Sequence, residues 1–278
     1  MDLNFKKFLF ADCIHGSMVW PTNDQIIGRC LSLYGEFAEG ENIILSQFIS
    51  EGDTVIDIGA NIGTQTLSMS KKVGEKGKVI AFEPQTLISQ CLQTSLTMND
   101  ITNVSVDNSA ISNKSGWAKI NDKDYSQIGR YGEAGIGKTG TRIRTIKLDE
   151  MDTEKCNLIK IDVEGHEWEV IQGGQKFLKI HKPTLYMEAK MIEGTRKYLT
   201  WLFENGWKCY WHFAFWCRNN NFRKNGKNIF PGDGDMNIIA IPEKAKQPKD
   251  LLEINNPKEK WDQNKYKQFY EAKGLDLF

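Results

Sequence analysis

From residue 52 onward, short runs of aliphatic and β-branched residues alternate with longer amphipathic stretches. That is the pattern of a mostly parallel sheet with helices on both faces, a doubly wound α/β fold. VIDIG (55–59) and VIAFE (79–83) read as buried strands, with a helix over 64–72 between them, closed by the turn GEKGK. A second helix is expected over 87–98, and NVSVDNSA (103–110) supplies a third strand. After a polar insertion come LIKID (158–162) and TLYMEA (184–189), with a crossover helix over 166–178 between them. A helix over 197–204, an aromatic strand WKCYWHFAFW (207–216) and a closing strand MNIIAI (236–241) bring the total to about seven strands. Residues 1–51 read as a helical lead-in, 52–242 as the main domain, and 243–278, rich in Lys, Glu and Asn, as a charged helix or tail.

Charge and cysteine usage narrow the classes of partner. Lys plus Arg total 36 and Asp plus Glu total 36 in 278 residues, so the chain lacks the overall positive field of non-specific nucleic-acid binders. A small-molecule partner fits that balance better than nucleic acid. The six cysteines form no C-x-x-C pair, and a chain this long needs no staples. They read as reduced thiols in a cytoplasmic protein. Asp12 and His15 interrupt the N-terminal apolar run before a signal-peptide core can form. No apolar stretch approaches the roughly 20 residues of a membrane helix. Nothing in the sequence bears on oligomeric state.

The densest signal is VIDIGANIGTQTL, where a buried strand ends at Asp57, turns through Gly59, Ala60, Asn61, Ile62 and Gly63, and enters a helix. Such a turn aims backbone N–H groups and a helix N-terminus at the polar end of a ligand, here the amino-acid carboxylate of S-adenosylmethionine. Glu83 follows at the end of the next strand, at the spacing where an acid grips ribose hydroxyls. A dinucleotide fits less well: its G-x-G-x-x-G fingerprint has Asn61 and Thr64 where the second and third glycines belong.

Five ordered blocks resemble the FkbM-type methyltransferases: VIDIGANIGTQTL, AFEP (81–84), SAIS (109–112), IKLDEM (146–151) and LIKIDVEGHEWEVIQGG (158–174). The resemblance covers roughly residues 30 to 242. It implies a Rossmann-like sheet with a reversed last strand, and methyl transfer to a hydroxyl of a sugar, nucleotide sugar or secondary metabolite. It also implies that Asp57, Gly59, Asn61, Gly63 and Glu83 hold the cofactor, with Asp107 and Asn108 near its adenine.

Methyl transfer from a sulfonium asks the enzyme for alignment and for removal of the acceptor's proton. Candidates lie at carboxyl ends of strands, where ligands sit in open α/β sheets. Asp162 closes one strand, and Glu164, His166 and Glu167 follow on the turn; Glu188 closes the next strand. Glu164 and Glu167 serve equally well as helix caps. His166 has the intrinsic pKa of a general base, although a lone histidine at a helix start is commonly structural. Asp162 and Glu188 together leave a divalent cation open, without a ligand spacing that supports one. His212 reads as core or rim, and its aromatic strand as packed on both faces or, more sharply, as a sugar platform.

Gly132 to Thr139 spells GEAGIGKT, a letter-for-letter P-loop, but no buried strand precedes it and no helix follows. Residues 121–145 read instead as a mobile glycine-rich loop carrying Arg130, Lys138, Arg142 and Arg144, a lid over an acceptor that carries phosphate, or an ordinary solvated loop. Three classes stand: an O-methyltransferase, a methyltransferase-fold protein that binds cofactor or RNA without turnover, and a nicotinamide-dependent oxidoreductase.

Overall fold

The computed structural model describes residues 7–190 and 193–273. Strands β1 (Phe8–Cys13) and β2 (Gly16–Pro21) form an antiparallel hairpin, followed by helices α1 (Ile27–Tyr34) and α2 (Glu39–Ser46). Next come β3 (Thr54–Ile58), α3 (Thr64–Val73), β4 (Lys78–Phe82), α4 (Thr86–Met98) and β5 (Val104–Asp107). Four short strands follow: β6 (Ser109–Ile111), β7 (Gly116–Ile120), β8 (Ile136–Gly137) and β9 (Thr141–Ile146). The chain then runs through β10 (Leu158–Ile161), α5 (Glu167–Gly173), α6 (Gln175–His181), β11 (Thr184–Glu188) and α7 (Glu193–Glu204). It closes with β12 (Trp207–Phe215), β13 (Gly234–Pro242), β14 (Leu252–Ile254) and α8 (Gln263–Ala272).

The main sheet has eight strands in the order β14-β12-β13-β11-β10-β3-β4-β5. Pairing is parallel from β5 through β11, and β13 is antiparallel to both neighbours. The chain moves outward from β3 to β5 and then returns to lay β10 against the other side of β3. That reversal leaves a crevice beyond the carboxyl ends of β3 and β10. Strand alternation sends side chains into cores on both faces: Ile56, Ile58, Ile159 and Ile161 into one, Val55 and Leu158 into the other. Asp57 breaks the apolar run of β3, and its register partner on β10 is Lys160, so the two oddities face each other.

Several expectations need correction. The lead-in is not wholly helical: its part over 8–21 is the β1–β2 hairpin, turned at Gly16 with φ +113°, while residues 1–6 lie outside the described residues. Alternation in FLFADC and SMVWP gives β1 and β2 their faces. The Asn99 side chain then ties the hairpin to the end of α4, accepting from Ser17 N at 2.9 Å and donating to Ser17 O at 2.7 Å. The expected strand over 103–110 divides at Asn108 into β5 and β6, which belong to different sheets. The crossover helix breaks into α5 and α6 at Gly174; a Cβ on Gly173 would stand 2.0 Å from the Ser112 carbonyl oxygen. The charged tail contributes an eighth strand, β14, paired with β12, as well as α8; Leu252 and Ile254 are buried. The expected loop over 121–145 contains β8 and most of β9, in a second sheet of order β6-β9-β7-β8. No helix among the described residues is long and apolar enough to cross a membrane.

Candidate active site

A cleft of about 200 Å³ opens over the carboxyl ends of β3, β4, β10 and β11. A second cavity of about 10 Å³ has room for at most a water, so a ligand of metabolite size goes in the first. Seven carboxyls line that cleft, Asp24, Glu83, Glu133, Asp162, Glu164, Glu188 and Asp235, against two cationic side chains, Arg130 and Lys190. Ile58, Phe82, Ala110, Ile111 and Ile120 form its apolar wall.

The glycine turn builds one side. Gly59 takes φ +83°, and a Cβ there would lie 1.8 Å from the Asp162 carbonyl oxygen, so only glycine lets the β3 and β10 ends approach this closely. Gly59 N and Ala60 N donate to Phe82 O, at 2.9 and 3.0 Å, locking the turn to the end of β4. Asn61 sits in the left-handed region at φ 51°, and its own side chain accepts from Ile62 N at 2.7 Å. Glu83 completes this side. Its Oε2 accepts from Asn61 N at 3.0 Å and its Oε1 from Gln85 N at 2.8 Å. Burial pushes its carboxyl up to about 7, even though both of those amides favour the charged form.

Gly59, Asn61 and Glu83 therefore line the cleft, whereas Asp57, Ala60, Gly63, Asp107 and Asn108 do not, Asn108 being exposed to solvent. Asp57 is fully buried under the turn, where its Oδ2 accepts from Thr66 Oγ1 at 2.6 Å and its Oδ1 has no hydrogen-bond donor. Asn108 donates to Glu83 O at 2.7 Å and Asp107 O accepts from Glu83 N at 3.1 Å, so both hold the β4 end in place. Ser109 and Ala110 reach the cleft in their stead.

The four proposed catalytic residues meet beside the glycine turn, at the β10 and β11 ends. Asp162, Glu164, His166 and Glu188 all line the cleft, and single oxygens of Asp162, Glu164 and Glu188 come within 4.8 Å of one another. That donor set could gather a divalent cation, but the Lys190 ammonium already stands there. It is bonded to Glu164 and lies 3.4 Å from Glu188 Oε2. Burial, with Asp162 and Glu164 beside it, pushes Glu188 up to about 10; burial and Asp162 push Glu164 up to about 7. Burial opposes the Lys190 charge, yet its bond to Glu164 and the charges of Glu188, Glu164 and Asp162 outweigh that and raise its pKa. Glu164 adopts φ 56°, a backbone state that costs a side-chain-bearing residue on the order of 1 kcal/mol and recurs at functional sites.

Glu167, the first residue of α5, fastens the turn that precedes the helix, its Oε1 accepting from Val163 N at 3.2 Å and Gly165 N at 3.1 Å. His166 shares a hydrogen bond with Ser112 Oγ through Nε2 at 2.9 Å and faces Glu169 through Nδ1 at 3.7 Å, so both ring nitrogens have protein partners. Burial lowers its pKa. His212 belongs to the core: Tyr186 bonds its Nδ1 at 2.9 Å, and burial lowers it to about 4. The aromatic strand is buried on both faces, with Trp207 and Trp211 in one core and Tyr210 in the other; Trp216, just past its end, lines the cleft.

Four titratable groups escaped the sequence reading. Lys160, 2% exposed, lies 3.2 Å from Asp162 and 4.0 Å from Asp57. Burial works against its charge, but Asp162, Asp57 and Glu41 together raise its pKa. Glu41 on α2 accepts from Gln65 and Asn237, at 3.1 Å each, and burial pushes it to about 8. Asp235 accepts from Trp216 Nε1 at 2.7 Å and rises to about 6, through burial and then Asp162. Lys190 is the fourth. A lysine in the apolar run LIKI had to find buried carboxylates, and that signal was available. The 121–145 segment is no detached lid: Gln85 Nε2 donates to Tyr131 O at 3.1 Å, Tyr125 donates to Gln85 Oε1 at 3.0 Å, and Tyr131 and Gly132 line the cleft.

The strand order and the acid-lined cleft at its reversal place the chain in the Rossmann-like α/β class. Residues 57–216 match the methyltransferase FkbM domain, and the chain belongs to that family. Over 135 residues it is 31% identical to the hexuronic acid methyltransferase AglP of Haloferax volcanii, covering 47% of this chain and 53% of that protein. The chain thus spans about half the length of the curated relative it matches. Among solved structures, it aligns with an FkbM methyltransferase of Methylobacillus flagellatus KT at TM-score 0.47 and 17% identity, covering 69% of this chain and 44% of that one. A SAM-dependent O-methyltransferase of Thermotoga maritima aligns at TM-score 0.48 and 13% identity, covering 86% and 79%. The fold assignment itself rests on the strand order.

Proposed function

We propose that the chain is an S-adenosylmethionine-dependent O-methyltransferase whose acceptor is a sugar hydroxyl. The observation that carries the cofactor is the charge of the cleft, seven carboxyls to two cations, which stays net negative with Glu188 protonated. A sulfonium and an α-ammonium are attracted there, whereas the pyrophosphate of a nicotinamide dinucleotide is repelled. When bound, S-adenosylmethionine supplies a methyl group already activated by its positive sulfur. Glu83 fits the ribose diol: each carboxylate oxygen takes one backbone amide, at 3.0 and 2.8 Å, and keeps further acceptor capacity toward the cleft. The amino-acid end lies against Gly59 and Asn61, whose backbone amides are already engaged by Phe82 O and Glu83.

Beside the glycine turn, Asp162 takes up the proton of the acceptor hydroxyl, and Glu188, kept protonated by a pKa pushed up to about 10, orients that hydroxyl by hydrogen bonding. Lys190 and Glu164 hold Glu188 in place, and Lys160 holds Asp162, while His166, engaged by Ser112, shapes the mouth. The sugar acceptor is supported by the hexuronic acid methyltransferase relative and by Trp216 at the cleft, an apolar surface suited to a sugar ring. Calorimetric titration with S-adenosylhomocysteine and with NAD tests the cofactor, and transfer of labelled methyl to a panel of sugars, uronic acids and nucleotide sugars tests the acceptor. Affinity for NAD alone would overturn the cofactor reading. Donor binding with no labelled sugar would favour a binding protein without sugar turnover.

A further inference from the structure

The β6-β9-β7-β8 sheet has two unlike faces. Inward, Ala110, Ile120 and Ile143 form a small core with Ala118, Ala134 and Ile136, and Ala110, Ile120 and Ile136 reach the cleft. Outward stand Trp117, Lys119, Arg142 and Arg144, all exposed. Register puts Trp117 opposite Arg144 and Lys119 opposite Arg142 on the two central strands, so the four form one contiguous patch. Trp117 is 63% exposed, and the Arg142 guanidinium lies over its ring, 4.2 Å from the centroid. Among the described residues, Lys119, Arg142 and Arg144 enter no ion pair; the nearby pairs are Arg130–Glu133 and Lys147–Glu150.

Protection against edge-to-edge pairing does not account for these cations. That device belongs on edge strands, and β7 and β9 are the interior strands of this sheet. We propose that this face binds an anionic glycan whose sugars carry carboxylates, the chain to which the acceptor sugar belongs; the proposal rests on the sugar reading of the acceptor given above. An indole presents a flat apolar surface to the C–H face of a sugar ring. A guanidinium stacked on that indole keeps its in-plane N–H edge free for a planar carboxylate. Arg142 and Arg144 lie two residues apart on one strand, about 7 Å, so the cations are spread out instead of converging as a single phosphate requires. Single-stranded nucleic acid favours successive aromatic platforms, and this patch has one ring. A chain lying across β7 needs to pass only the two-residue edge strand β8, whose Ile136 lines the cleft and whose Gly137 is exposed, to reach the mouth.

The test is calorimetric titration of hexagalacturonate into the protein saturated with S-adenosylhomocysteine, in parallel with maltohexaose and an oligothymidylate of matched charge. Wild-type protein is expected to bind hexagalacturonate with an affinity that falls as salt rises, and to bind the neutral hexamer and the oligonucleotide far more weakly. Arg142→Ala with Arg144→Ala should weaken hexagalacturonate binding about tenfold or more, and Trp117→Ala severalfold. S-adenosylhomocysteine affinity and melting temperature should stay unchanged in both variants. The proposal is overturned if hexagalacturonate does not bind, if the double variant binds it as tightly as wild type, or if maltohexaose or the oligonucleotide binds equally well. Failure of the donor or acceptor reading shows elsewhere, as absent S-adenosylhomocysteine binding in the wild type or absent labelled methyl on sugars, and neither is read by the hexagalacturonate titration.

Discussion

Exchanging Glu83 for Gln keeps the side chain's volume and changes its hydrogen-bonding character, and two consequences of different size follow. In the fold, Glu83 accepts one amide on each oxygen, from Asn61 and from Gln85. A glutamine has one carbonyl oxygen, so its NH2 must face one of those two amides, donor against donor. A buried donor left unpaired costs about 1–3 kcal/mol, offset in part because no buried charge remains. In a chain of this length that amounts to a few degrees of melting temperature, at about 2–4 °C per kcal/mol. In binding, two charge-assisted bonds to a ribose diol, about 1.5–3 kcal/mol each, become one neutral bond and one lost. A net deficit of about 2–4 kcal/mol is a weakening of roughly 30- to 1000-fold. Calorimetry with S-adenosylhomocysteine at pH 8, above the value of about 7 to which burial pushes Glu83, reads this directly, alongside a thermal melt. A Glu83→Gln variant that melts within a few degrees of wild type and binds S-adenosylhomocysteine within about threefold of it would falsify the assignment of Glu83 to the ribose.

Other outcomes follow from the same geometry. Shortening the segment between Gly129 and Gly140 should weaken S-adenosylhomocysteine binding, since Tyr131 and Gly132 stand against Gln85 and Asn61; calorimetry showing unchanged affinity in a folded variant would return the segment to the acceptor alone. Asp235 at about 6, Glu83 and Glu164 at about 7 and Glu41 at about 8 are all raised above ordinary carboxyl values. The folded state therefore holds protons that the unfolded chain gives up near pH 4, so ligand-free stability should fall as pH rises from about 5 to 8. Binding of the cationic donor, which favours the ionised forms, should tighten over the upper part of that range. Melts and titrations from pH 5.5 to 8.5 check both signs, and stability that rises with pH contradicts the burial argument. Lys160→Met should cost about 3–5 kcal/mol in a urea titration by leaving Asp57 buried without its cation, and adding Asp57→Asn should restore part of it; an unchanged midpoint would show that Lys160 is not what compensates Asp57.

The strands of the main sheet were legible wherever burial on both faces produced a mostly apolar run, as in VIDI, VIAF and LIKI, the first and last each broken by a single charge. What escaped depended on contacts distant in sequence. The hairpin over 8–21 is held by Asn99 and Ser95 of α4, residues some eighty positions away, and no local pattern announces that partner. At Asn108 the break coincides with its bond to the Glu83 carbonyl, and at Gly173–Gly174 the helix-breaking glycine pair sits where a side chain on Gly173 would collide with the Ser112 carbonyl. In each case a contact distant in sequence accompanies the end of the element.

The site divides along the same line. Residues at strand ends could be read from position alone, because an open parallel sheet exposes its carboxyl ends at the reversal of strand order; Glu83, Asp162, Glu164 and Glu188 all reach the cleft. Glycine-turn residues were legible as a group but not by role, since the turn aims Asn61 at the cleft and leaves Asp57 and Gly63 as its support. The supporting charges were the hard part. Lys160 meets Asp57 only because β10 lies beside β3 in that register, and Glu41 joins them from α2, through Gln65 and Asn237. The Asp162 side of the cleft thus stands on a polar and ionic cluster whose members come from the lead-in (Glu41), β3 (Asp57), β10 (Lys160) and β13 (Asp235 and Asn237). That distribution explains why the lead-in belongs to the site: Asp24, Ile26, Ile27 and Phe37 line the cleft, and Glu41 lies in the cluster beneath it.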